Sequence, residues 1–184
     1  LHGTNPIYEI PNTILVFRIR SKDDYKFTIA FLVEAFLSYA ASVLDVSGKD
    51  IMHAHDLARR GLSGYPSLRQ IIDKQEAEFP GSPLAKLWAS HYPKVGEKWV
   101  YTLKKLRNYY LHEDICGPVF QMRVMIQTKP EVLLDEESFP FGVRAKERAL
   151  THYCPTVISQ LNQLTSDTYS LMASEIQRAG KFPL

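Results

Sequence analysis

Residues 96–114, GEKWVYTLKKLRNYYLHED, decide how the rest of the chain is read. Steps of about 100° per residue, the turn of an α-helix, gather Trp99, Leu103, Leu106 and Tyr110 into one narrow apolar stripe. The spacing predicts a single helix from Glu97 to Asp114 with that stripe turned to a core. Asn108 and His112 are four apart, so they stack one turn above the other on the opposite side, in line with Tyr101 and Lys105. Arg107 lies about 80° from the stripe, where its long side chain can reach either neighbour, and Lys104 lies near it. An imidazole, an amide and a guanidinium backed by two lysines suit anion or phosphate chemistry, and a helix holds them with the rigidity a site requires.

Outward from this stretch, the chain has 184 residues, 45% hydrophobic and 23% charged, enough apolar material for one globular domain over residues 1–184. A formal charge of +2 is too small for a protein that coats nucleic acid, so any RNA contact must come from a local patch. Glu97 to His112 supplies one, with four cationic residues against one acid. Two cysteines, Cys116 and Cys154, make no disulfide framework in a chain of this size and read as packed thiols in a reducing cytosol. The opening LHGTNPIYEI lacks the basic start and apolar run of a secretory signal, so a cytoplasmic location is expected. The longest apolar run, Phe27 to Leu44, is about the minimum for a membrane span, but Glu34, Ser38 and Ser42 interrupt it, and no membrane contact is expected.

Alternation over Asn12 to Arg20 predicts a short strand. Ser21 and Asp24 then form a capping-box-like start for a helix expected to run to about Asp45, with Ser47-Gly48 as its stop. This helix is apolar nearly all round, which makes it central or interfacial. Glu34 sits in its middle. A carboxylate there is costly unless paired, so Glu34 is expected to face and orient Arg107 or His112, the alternative being a solvent-facing helix edge. Asp50 to Arg60 reads as a second helix carrying His53, His55 and Asp56, whose roles the sequence leaves open. Ser67 caps a helix from about Leu68 to Phe79, and Pro83 opens another short one through Ser90. Trp88 and Trp99 are read as core.

Beyond Gly117-Pro118, alternation predicts a strand from Val119 to Gln127, returning through Glu131 to Leu134 as a hairpin across Thr128-Lys129-Pro130. Asp135, Glu136 and Glu137 share no face and read as a solvated loop. After a helical lead-in over Val143 to Tyr153, Pro155 is expected in the first turn of a last helix reaching Arg178, with Val157, Leu161, Leu164, Thr168, Leu171 and Glu175 or Ile176 on one side and Gly180 past its end. The expected fold class is mainly α: an up-and-down helical bundle with a small antiparallel hairpin or sheet after the motif helix, over about 117–140. No phosphate loop, G-x-S-x-G turn, zinc-spaced Cys/His set or internal repeat occurs.

Arg107-Asn108-Tyr109-Tyr110-Leu111-His112 resembles the R-x4-6-H signature of the HEPN superfamily, in the variant where a polar residue follows the arginine. His55-Asp56-Leu57 is loosely similar to an H-[DN]-L stretch of some of its members, where it packs or caps. His55-Asp56 also spells part of a metal-dependent phosphohydrolase site, but the further upstream histidine such a site needs has no candidate except His2, so neither metal nor cofactor is expected.

The HEPN resemblance implies a helical bundle and a metal-independent endoribonuclease. His112 would exchange a proton with the attacking 2′-hydroxyl or the leaving 5′-oxygen, Arg107 would hold the phosphate, and Asn108 would orient His112 or the substrate. Lys104, Lys105, Tyr101 and Tyr109 would line the RNA, Glu34 supporting them. One histidine per chain is sparse for acid and base together, and the resemblance implies a composite site at the twofold axis of a homodimer. The alternative is a noncatalytic HEPN-like dimerisation or nucleic-acid- or protein-binding module. An antitoxin or regulatory protein is a partner of the kind it implies, although no residue specifies one.

Overall fold

The computed structural model describes residues 15–19, 24–92, 98–113, 120–124, 131–134, 139 and 145–178, with side chains placed in 31–92, 98–111, 133–134, 139 and 147–178. The Ser21 cap, Cys116, Gly117-Pro118, the turn at 128–130, the acids Asp135 to Glu137 and Gly180 lie outside these residues, as does the side chain of His112. The described chain is mainly helical.

Helix α1, Asp24–Ala54, is longer than expected because Ser47-Gly48 does not stop it. Both residues are buried, and a Cβ at Gly48 would fall 2.7 Å from Leu68 Cδ1. The glycine is there for the close approach of α2, Leu68–Glu78, rather than to end a helix. The stop comes later, and the expected helix over Asp50 to Arg60 merges into α1. Asp56 takes φ +52°, its N–H donates to His53 O at 3.1 Å, and the Leu57 N–H donates to Met52 O at 2.9 Å. That is the Schellman ending, with Asp56 in the left-handed position that a short polar side chain tolerates. Leu57 is fully buried, so His55-Asp56-Leu57 caps and packs.

Ser67 caps α2 through a reciprocal capping box with Gln70, and Ser82 caps α3, Pro83–His91. Helix α4, Trp99–Asn108, carries the motif. Its buried stripe is Val100, Leu103, Leu106 and Tyr110, the one expected except that Val100 takes the place of Trp99. Trp99 is left half-buried at the edge, where its indole donates to His91 Nδ1 at 2.9 Å.

Strands β1, Leu15–Ile19, β2, Phe120–Val124, and β3, Glu131–Leu133, form an antiparallel sheet in the order β1-β2-β3, with Leu15 opposite Val124 and Arg123 opposite Glu131. Beyond β3, the Leu134 N–H donates to Arg148 O at 3.0 Å and the Arg148 guanidinium returns a bond to Leu134 O at 2.9 Å. This tie joins the sheet to the short helix α5, Ala145–Arg148, and to the start of α6, Leu150–Arg178. Helix α6 therefore begins before Pro155, which lies inside it rather than in its first turn. The carbonyl that Pro155 leaves without a helical donor belongs to Thr151, at an exposed position where water can serve it.

Helix α1 packs against α2, α4 and α6. The core is Val33, Leu37 and Leu44 of α1, Leu103 and Leu106 of α4, and Val157, Leu161 and Leu164 of α6, with Trp88 fully buried and donating from Nε1 to Thr168 Oγ1 at 3.1 Å. On α6 the buried stripe continues to Met172, with Leu171 half-buried.

Candidate functional site

The motif straddles a change of helix type. Asn108 ends α4, and Tyr109–Glu113 form a π-helical turn, so the helix expected to run unbroken to Asp114 widens within the motif, after Asn108. A π turn bonds i to i+5 and occurs disproportionately where an altered register serves a site. On the α side, Tyr101, Lys105 and Asn108 are exposed, opposite the buried stripe. Arg107 is half-buried and donates from a terminal guanidinium nitrogen to Asn108 Oδ1 at 3.1 Å, while its Nε is buried and has no partner among the described residues. Its second terminal nitrogen has no partner among the described residues. His112 follows in the π turn, placed by its backbone alone.

The other candidates are placed differently. Lys104 donates to Asp45 Oδ1 of α1 at 2.8 Å, so its charge is already answered by a carboxylate. Tyr109 is half-buried, edge-on to Tyr110 with ring centroids 5.3 Å apart. Glu34 is half-buried on α1 and makes no bond to Arg107 among the described residues. Of the two partners expected for Glu34, Arg107 is therefore not the one it holds among the described residues, and the side chain of the other, His112, lies outside them. The turn of α1 that faces α4 through Asp45 lies three turns further along.

His91 anchors the start of α4 through Trp99. Burial pushes its imidazole below the ordinary histidine range, Lys98 adds to this, and Asp167 opposes it. A neutral ring also keeps the lone pair that the Trp99 indole needs.

A second polar cluster joins residues that sequence reasoning did not bring together. Glu175 of α6 receives His55 Nε2 on one carboxylate oxygen at 2.8 Å. On the other it receives Ser82 Oγ–H at 2.6 Å and the Leu84 N–H at 3.2 Å. His55 is 8% exposed and Glu175 19%, and the imidazole rests on Phe79 with centroids 4.5 Å apart. One carboxylate thus joins the end of α1, the start of α3 and the end of α6. Its sequence signal was available: Glu175 continues the buried stripe of α6, where an acid needs a partner. Asp56 pairs at the surface with Arg59 at 3.5 Å. Among the described residues no three His, Cys, Asp or Glu side chains gather as metal ligands. Cys154 is a half-buried free thiol, and burial pushes its pKa up.

By length and composition, Phe31–Ala54 of α1 is long and apolar enough to cross a membrane, with 39% of that window buried within the fold. Its exposed positions include both apolar side chains, Phe31, Leu32, Tyr39 and Val46, all more than half exposed, and polar ones such as Ser42, Asp45 and Lys49. Comparison of the chain with protein-family models, curated proteins and solved structures finds no match.

Proposed function

We propose that the chain is a metal-independent endoribonuclease of HEPN type, working as a homodimer whose two Arg107 to His112 segments complete one cleft. The observation that carries this reading is the pairing of Arg107 with Asn108 at the junction of α4 and the π turn, on a helix whose opposite face is fully buried. The guanidinium is oriented before any ligand arrives, as an electrostatic group must be to act without reorganising.

In this mechanism Arg107 binds the scissile phosphate with the nitrogen left free by Asn108 and stabilises the charge that builds on the equatorial oxygens. One His112 accepts the 2′-hydroxyl proton as the oxygen attacks phosphorus. The His112 of the second subunit protonates the departing 5′-oxygen, and the product is a 2′,3′-cyclic phosphate. Lys105 and Tyr101, both exposed on the same face, contact the flanking RNA. The outward apolar side chains of α1 provide a seam that a second copy can bury. Strands β2 and β3 follow the motif helix, which is compatible with a β insertion there, β1 joining them from before α1, and the packing of α1 against α4 and α6 is compatible with an up-and-down bundle.

Lys104 favours a second reading, since its ammonium is neutralised by Asp45: a noncatalytic HEPN-like module that keeps the motif for pairing alone. An assay on single-stranded RNA with EDTA present separates the two. Cleavage that persists in chelator and disappears in Arg107→Ala and His112→Ala supports the nuclease, whereas an inert wild-type dimer supports the module.

A further inference from the structure

A cleft of about 510 Å3 opens between the last turns of α1, the loop leading into α2, and α4. Its size is that of a site for a small organic ligand. Met52, Leu68 and Ile71 make an apolar floor. Lys49 and His53 are one turn apart on α1, both line the cleft, both are exposed, and neither is paired with a carboxylate among the described residues. Lys104 closes the α4 side with Asp45 at 2.8 Å, so that pair is neutral and the charge of Lys49 is left in excess.

Tyr65 stands fully exposed at the lip, between Gly64, at φ +78°, and Pro66. A ring so placed gains little from the fold and is available to cover a flat ligand. The first turn of α2 also opens here, at Ser67 and Leu68, and its leading N–H groups add positive potential to the mouth.

An apolar floor, a free aromatic lid and an uncompensated ammonium beside an imidazole match a flat ring that carries a phosphate. We propose that this cleft binds a mononucleotide, with the base between Tyr65 and the Met52-Leu68-Ile71 floor and the phosphate on Lys49 and His53. The site is separate from the Arg107 to His112 segment and does not depend on the nuclease reading.

Isothermal titration calorimetry of the full chain with AMP, GMP, CMP and UMP, each against its unphosphorylated nucleoside, tests this. At least one monophosphate is expected to bind saturably, and its nucleoside about tenfold or more weakly. Lys49→Ala and Tyr65→Ala are each expected to weaken the monophosphate about tenfold. Both side chains are exposed, so both variants keep the fold, as thermal denaturation will verify. Three results would overturn the proposal: no saturable binding by any of the nucleotides, binding unchanged in both variants, or binding abolished by Arg107→Ala, which would move the ligand to α4.

Discussion

Arg107 owes its position to two unlike environments: a buried Nε that faces the fold and a terminal nitrogen held by Asn108 at the surface. Lysine can supply the charge but not the planar fork. Arg107→Lys should therefore cut RNA cleavage by about 10²-fold or more while thermal stability changes little, read from initial rates on a labelled oligonucleotide and a melting curve. His91 gives a pH prediction. Unfolded, it titrates near 6.5, and folded, lower, so as pH falls below 6.5 the unfolded chain takes up the proton first and the folded state loses stability. The melting temperature should drop between neutral pH and pH about 5, and the drop should shrink in His91→Gln. At this scale the exposed groups were legible: Tyr101, Lys105 and Asn108 lie where helical spacing puts them. A Glu34–Arg107 pair was not, because spacing shows which face a carboxylate takes and not which neighbour stands opposite. The acid with buried partners is Glu175.

Helices α1, α3 and α6 meet at Glu175, so its loss should be felt by all three. Glu175→Ala strands the buried His55 and leaves the Leu84 N–H at the start of α3 without its acceptor, and should cost about 2–4 kcal/mol in urea unfolding, more than a surface acid would. Gly48 is the contact point of α1 with α2. Gly48→Leu must push against Leu68, itself buried, and should cost about 1–3 kcal/mol through overpacking despite the better helix propensity of leucine. Local signals read correctly where the energetics are local. The Ser67 capping box and Pro83 at the start of α3 were both visible. They misled where tertiary contact decides. Gly48 looked like a stop and is a packing position, Pro155 looked like a start and lies inside α6, and the change to a π turn at Tyr109 has no counterpart in hydrophobic spacing.

For the whole molecule, the mainly helical class followed from long apolar stripes that only packed helices can bury. The proposed pairing of two chains would bury apolar side chains of α1 that the described residues leave exposed. Tyr39, 76% exposed near the middle of that seam, makes no packing contribution a monomer would miss. Tyr39→Glu should therefore convert the proposed dimer to a folded monomer in light scattering, and cleavage should fall with it. A monomeric wild type would remove the composite cleft. The most direct measurement is RNA cleavage by the wild-type chain in excess EDTA beside Arg107→Ala and His112→Ala of matched stability. Cleavage ending in a 2′,3′-cyclic phosphate by the wild type, and its loss in both variants, is the expected result; cleavage that EDTA abolishes, or that both variants retain, would contradict it.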